Sequence, residues 1–464
     1  MSRSKKLYLL LGILAAACAA TFAVMQMEER KEQIEETGEI ILTLPSESVE
    51  ALSWEYNGET LAFHRDETWL YDEDETFPVS EEKIHELLEQ FQSFGAAFII
   101  EGAEDFGQYG LDDPVCTINL STAEQAYEIK LGDYSRMDAQ RYVSIGDGNV
   151  YLVRHDPMDE FDAVLSDLIL HDEVPAFDEV TDIQFSGAES YRITYAEDSA
   201  DTYSADDVYF ARREGKQLPL DTSRVDGYLR GITNMNLTEY VSYNVSEEEL
   251  RSYGLDTPAL TVTVQYAPEG EDGGEECFVL HVSPDPEDVK AAETAEDGEQ
   301  EAEISAYVRI GESQIIYKIS AEDYEKLSAA SYDELRHREV LWADFEAVEQ
   351  IDILLEGDRY TLAADAGGSE RSWLCQGEAV EITGLQESLE ALTADEFTGE
   401  RPTQKEEIRL TVHLDHENFP EVEIVLYRYD GSRCLAEVDG QTVSLVERAS
   451  VVDLIEAVHA IVLH

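Results

Sequence analysis

The chain has 464 residues, with 102 Asp and Glu against 32 Lys and Arg, a formal net charge of −70, and a hydrophobic fraction of 43%. That apolar content belongs to folded domains rather than to an acidic disordered tail, and the length accommodates roughly three domains of about 150 residues each. A surface this negative repels phosphate, which excludes direct nucleic-acid binding and adsorption of the main body to anionic lipid.

Arg3, Lys5 and Lys6 are the only charges before Glu28, and the run from Leu7 to Met27 is apolar and uncharged. At about 1.5 Å per residue it just spans a hydrocarbon core of about 30 Å. Basic residues before it and acidic ones after it predict a cytoplasmic tip (1–6), a single transmembrane anchor (7–27), a linker (28–39) and a body outside the cytoplasm, the whole residing in the cell membrane. Ala15-Ala16-Ala17-Cys18 loosely matches the cleavage box of bacterial lipoproteins, so Cys18 is a candidate lipidation site. The Leu expected three residues before that cysteine is absent and the apolar run continues beyond it, so an uncleaved anchor is the first reading.

Beyond the anchor the chain repeats. The first unit (40–172) opens with Val49-Glu50-Ala51-Leu52 in a strand pair whose later members include Trp69. A helix follows over Ser80 to Phe94, with Ile84, Leu87, Leu88 and Phe91 on one face. Then comes the box Tyr109-Gly110-Leu111-Asp112-x-Pro114, a strand with Cys116, Ile118 and Leu120 facing inward, and a hairpin turning at Gly146-Asp147-Gly148-Asn149.

The second unit (173–337) opens with Val180-Thr181-Asp182-Ile183, reaches Tyr209, and places a helix over Asp221 to Ile232. Its box is Tyr253-Gly254-Leu255-Asp256-x-Pro258, and YVRIG from Tyr307 matches YVSIG from Tyr142. These landmarks lie farther apart than in the first unit, so the second unit holds an insertion, supplied by PEGEDGGEE around Gly270 and by an acidic stretch over 284–303 that reads as disordered. Ser246 caps a short helix, Gly254 ends it in a left-handed conformation backed by Leu255, and Pro258 keeps helix from resuming, which gives the box a structural role.

A third, divergent unit (338–464) opens with Val348-Glu349-Gln350-Ile351 and includes Trp373. It lacks the box but keeps a helix over Thr383 to Leu392, the strands IRLTVHL, VEIVLYRY and TVSLV, a turn at Asp439-Gly440 and a closing helix over Ser450 to Leu463. The fold class is therefore α+β: an N-terminal transmembrane helix followed by three repeated antiparallel-sheet-plus-helix units.

Chemistry is sparse. Cys116, Cys277, Cys375 and Cys434 are far apart with no CxxC, and Cys116, Cys277 and Cys434 sit in strand-like runs where a free buried thiol behaves as a small hydrophobe. There is no Walker loop, GxGxxG, GxSxG or HExxH. His413-Leu414-Asp415-His416 is the densest histidine cluster, but in a strand His413 and Asp415 share a face that His416 leaves. Asp72-Glu73-Asp74-Glu75 is a weak Ca²⁺ candidate without EF-hand spacing, and otherwise a solvated acidic turn. The residues therefore assign no catalytic, cofactor or metal ligand.

The anchor, the two Tyr-Gly-Leu-Asp-x-Pro boxes and the YVSIG and YVRIG strands together resemble the bacterial domain of unknown function 4340, in tandem copies. The resemblance implies a membrane-anchored extracytoplasmic protein beside an ABC-type transporter permease, and brings no catalytic residues with it. The leading expectation is a non-enzymatic interaction or scaffold protein accessory to such a transporter. The alternative is a binding module for cell-wall material or divalent cations, and an envelope hydrolase comes third.

Overall fold

The computed structural model describes residues 38–463, apart from position 214 and segments 269–273, 295–302 and 366–370. The expected anchor and Cys18 lie outside the described residues, among which no helix is long and apolar enough to cross a membrane. The chain divides between His171 and Asp172 into two compact units. The first holds one nine-stranded antiparallel sheet and the second holds two.

In the first sheet β1 (Glu39–Leu42), β2 (Val49–Tyr56), β3 (Glu59–Arg65), β4 (Trp69–Tyr71), β5 (Phe94–Ile100), β6 (Cys116–Thr122), β7 (Ala126–Ser135), β8 (Gln140–Ser144) and β9 (Val150–Val153) lie in the order β1-β5-β9-β8-β7-β6-β2-β3-β4. The second comprises β10 (Glu179–Gly187), β11 (Tyr191–Tyr195), β12 (Tyr209–Arg213), β13 (Lys216–Pro219), β14 (Tyr240–Ser242), β15 (Leu260–Ala267), β16 (Glu276–Pro284), β17 (Ala306–Ile310) and β18 (Ile316–Ile319). Its order is β13-β12-β11-β10-β15-β16-β17-β18-β14. The third comprises β19 (Val348–Leu355), β20 (Asp358–Asp365), β21 (Ser372–Cys375), β22 (Glu378–Val380), β23 (Ala394–Phe397), β24 (Glu406–Leu414), β25 (Glu421–Arg428), β26 (Arg433–Val438) and β27 (Gln441–Glu447), in the order β22-β21-β20-β19-β24-β25-β26-β27-β23. The second and third orders are identical in topology. The first differs only at its edges: β4 has no outer partner equivalent to β13 or β22, and β1 is added beside β5.

Each sheet has a pair of packed helices over its core face. The first pairs α1 (Glu81–Glu89) with α2 (Met158–Phe161). The second has α3 (Thr222–Thr233), α4 (Glu247–Ser252), α5 (Pro286–Thr294), α6 (Ala321–Ser328) and α7 (Tyr332–Leu335), with α3 packed against α6. The third pairs α8 (Thr383–Glu390) with α9 (Arg448–Val462). The caps explain where these helices start. Ser80 accepts a hydrogen bond from the Lys83 amide, and Asp221 accepts from the amides of Ser223 and Arg224, each satisfying donors that the first turn leaves free.

The predicted face of α1 is buried at Ile84, Leu87 and Leu88, with Phe91 just beyond it, and Trp54 of β2 meets Phe161 of α2 edge to face. In the third sheet Ile351, Ile353, Leu410, Val412 and Ile424 face Leu385, Leu389, Val451, Leu454 and Val458 from the two helices. Alternation along each strand puts apolar side chains under the helices and polar ones on the opposite face.

The acidic stretch 284–303 requires a correction, because Pro286–Thr294 is helix. Asp285 accepts from the Glu287 amide, Pro286 supplies a fixed φ at the first helical position, and Glu287 and Asp288 complement the positive helix end. The charges that read as disorder are therefore also a helix start.

All three sheets share two irregularities. The opening strand slips register against its central neighbour between Val49 and Ala51, between Val180 and Asp182, and between Val348 and Gln350. The strand after the first helix slips in the same way between Ala96 and Phe98, Tyr240 and Ser242, and Ala394 and Glu396. Each slip is a β-bulge, which bends the strand and raises its local twist.

Candidate binding site at the joint of the second and third sheets

The repeated box lies on the face of its sheet opposite the core-packing helices, and in the second sheet it carries its own short helix α4 with it. Tyr109 packs on Tyr142 of β8 with ring centroids 4.9 Å apart, and Tyr253 packs on Tyr307 of β17 at 4.5 Å. Gly110 and Gly254 both adopt left-handed backbone, with φ of 70° and 72°. Leu111 and Leu255 are buried, Asp112 and Asp256 are exposed, and Pro114 and Pro258 lead into β6 and β15. The second box has the predicted capping geometry, with the Ser246 hydroxyl accepting from the Glu249 amide while Glu249 accepts from the Ser246 amide. The first box begins instead with a 3-10 turn, Gly107–Tyr109.

How the box sits on the sheet differs between copies. At Gly132 an added Cβ would come within 2.2 Å of the Tyr109 carbonyl oxygen, so the first box lies directly on bare backbone. Ser283 takes that place in the second copy, donating its hydroxyl to the Gly254 carbonyl at 2.8 Å and accepting from the Ala259 amide at 3.2 Å. Beside it the buried Asp285 accepts from Lys318 and from the Tyr307 hydroxyl, both at 2.9 Å.

The other sequence candidates do not converge. His413 Nε2 pairs with Asp352 at 2.9 Å, whereas His416 Nδ1 accepts from the amides of Asn418 and Phe419. In the acidic turn Asp72 pairs with His64, Glu73 accepts from the Tyr71 hydroxyl and Asp74 accepts from Thr76. Cys116 and Cys434 are buried free thiols as expected, as is Cys375, but Cys277 is exposed, because at the start of β16 it alternates with buried Phe278 onto the face away from the core. Burial pushes Cys116 up to about 12 and Cys434 up to about 11, so both stay protonated.

A different constellation forms where the second sheet meets the third. The first sheet joins β3 and β4 by the short turn Asp66–Thr68, but the second sheet joins the corresponding β11 and β12 by a long loop over 196–208. Near the end of that loop Asp207 is almost fully buried and accepts from Thr202 Oγ1 at 2.5 Å and from Trp342 Nε1 at 3.0 Å. Its other carboxylate oxygen takes His337 Nε2 at 2.8 Å. The His337 ring stacks on Trp342 at 4.5 Å with only 7° between planes. Both belong to the segment connecting the sheets, so this loop of the second sheet is tied to the approach into the third.

Burial alone would depress His337, but Asp207 and Glu339 outweigh it and hold the imidazolium up to about 9. Glu339, with an oxygen 3.8 Å from His337 Nδ1, is drawn down to about 2, chiefly by that histidine. Asp221 completes the group: ligand-type atoms of Asp221, His337 and Glu339 lie within 4.8 Å of one another. One Asp221 oxygen caps α3 and the other faces Arg224 at 3.3 Å. A divalent ion at this place would have to displace that guanidinium and deprotonate His337, so the arrangement is better suited to an ion-pair lock.

Alongside the lock opens a crevice of about 580 Å³. Tyr203 forms its back, 4.8 Å from Trp342 and 5.8 Å from Phe419, and nearly perpendicular to the latter. Leu218 and Pro219 of β13 line one side, and Val438 and Asp439 from the β26–β27 turn line the other. These residues carry no spacing signature. The visible signals are a β11–β12 connection far longer than its β3–β4 counterpart in the first unit, and a Trp lying between strands rather than in one.

A family model, the domain of unknown function DUF4340, matches residues 69–209 and 211–412. The chain belongs to this family. The two DUF4340 segments begin at corresponding strands, the first at Trp69 in β4 and the second at Ala211 in β12, so each runs out of phase with the sheets and into the next repeat. Among curated proteins and solved structures, nothing matches the chain.

Proposed function

We propose that this DUF4340 protein is a non-catalytic, membrane-anchored binding and scaffold module, its body extracytoplasmic, acting as an accessory to an ABC-type transporter. The observation that carries the reading is the joint, where a buried ion-pair lock fixes two sheets and leaves an open, aromatic-walled crevice beside them. Such a concave site with an apolar wall and a few polar groups suits recognition. At the lock, Asp207 and Glu339 hold the His337 imidazolium up to about 9, and both Asp207 oxygens are engaged in hydrogen bonds. The anchor and the transporter partner rest on the apolar run Leu7 to Met27 and on what family membership implies.

Crosslinking of the full chain in its native membranes, followed by identification of captured proteins, tests the proposal. A transporter permease among them is the expected result. Capture of no membrane protein overturns it.

A further inference from the structure

We propose that the crevice between the second and third sheets binds a neutral oligosaccharide, an inference that rests on the binding-module part of the function proposed above. Its wall is the first argument. Tyr203, Trp342 and Phe419 are each half-buried and line the cavity; His337 already stacks on Trp342, so the ligand meets the part of this aromatic wall that the rings leave to one another's edges, with Phe419 at its outer end. A pyranose presents a flat face of C–H groups that packs on such rings, and about 580 Å³ holds two or three sugar units.

The rim is the second argument, because it separates ligand classes. It offers donors at Lys216 and Gln217 and acceptors at Asp201 and Asp439. A site for a cation would leave Lys216 opposing the ligand, and one for an anion would set two carboxylates against it. Hydroxyl and amide groups of a sugar both donate and accept, so they can hydrogen-bond to all four groups without setting like charge against any of them. Asp439 is pre-positioned for this: one oxygen accepts from the Glu423 amide at 2.8 Å, which orients the carboxylate at the tip of the β26–β27 turn.

The wall is also rigid. Asp207 anchors Trp342 by its indole N–H and His337 braces the opposite face of that connection. A ring fixed before binding costs little ordering entropy when the ligand arrives.

The test uses the full chain in detergent, titrated with β-1,4-linked tetrasaccharides of glucose and of N-acetylglucosamine, and with a Lys-rich peptide as comparator. Binding is followed by tryptophan fluorescence and calorimetry. Saturable binding of one tetrasaccharide is expected, insensitive to salt because the ligand is neutral. Phe419→Ala should weaken it about tenfold, Phe419→Tyr should retain it, and Lys216→Ala or Asp439→Asn should weaken it with the melting temperature unchanged. Absence of saturable binding by both sugars, binding indifferent to Phe419→Ala, or preferential and salt-sensitive binding of the peptide would each overturn the assignment. Membrane crosslinking of the Phe419→Ala chain separates the two proposals, since partner capture that persists while sugar binding is lost supports both independently. Failure of capture by the unaltered chain, with its sugar binding intact, sinks only the transporter role.

Discussion

Gly132 has its neighbouring carbonyl too close for any side chain, whereas Gly254 is confined by its backbone angle and has Ser283 no nearer than 3.4 Å. The two should therefore respond differently to alanine. Gly254→Ala incurs the left-handed cost of roughly 1–2 kcal/mol, while Gly132→Ala must lift the box from β7 and should cost about 3 kcal/mol or more. Thermal melts of the two variants decide this, and a smaller loss for Gly132→Ala would contradict the close approach.

At His337 the sign of the pH dependence follows from a raised value. Its stabilisation is complete below the ordinary histidine pKa of about 6.5 and is lost as pH rises through about 9. Glu339 is lowered, so its share is complete above the ordinary carboxylate range and is lost as pH falls through about 2. The joint should be firmest in mildly acidic solution and loosen towards pH 9. His337→Gln should flatten the alkaline limb of the stability profile, and a limb unchanged in that variant would assign the titration elsewhere. Removing the partner is harsher: Asp207→Ala leaves a buried imidazolium and indole N–H unmatched and should cost about 3–5 kcal/mol.

Among the elements, α9 closes the third core through Val451, Leu454 and Val458, each at 1% exposure or less. Leu454→Ala should destabilise by about 2–5 kcal/mol, read by denaturant unfolding followed by tryptophan fluorescence. A loss below about 1 kcal/mol would mean that the helix is not part of that core.

The regular elements were legible because alternation and caps are local. Val49, Val180 and Val348 open strands, and Ser80 and Asp221 cap helices, as their sequence neighbours require. Edge strands such as Lys216–Pro219 and Glu378–Val380 were not legible, since a few residues with no apolar alternation become strand only by pairing with β12 or β21. Helix α5 was masked by the acidity that also starts it. The candidate site was illegible for a further reason: Asp207, the pair His337 and Trp342, and Phe419 come from three separate connections and meet only in the folded second unit. No periodicity connects them.

For the molecule as a whole, division at His171 predicts that calorimetry resolves two unfolding transitions rather than three, because the lock makes the second and third sheets one cooperative unit. Asp207→Ala should split the larger transition. A wild-type trace with three separate peaks would show that the joint does not couple the sheets.

The net charge of −70 opposes compaction throughout, and raising monovalent salt should raise the melting temperatures by screening that repulsion.

The paired bulges carry a historical consequence. Hydrogen bonding and core burial are satisfied by regular strands, so nothing in folding demands that Val49, Val180 and Val348 each be followed by one extra residue at the same place. Three independent inventions of one sheet would not be expected to stumble at the same two points. The third copy has lost the box yet keeps both irregularities, so it descends from the same ancestral segment by duplication, and its sheet preserves a genealogy that its side chains have largely erased.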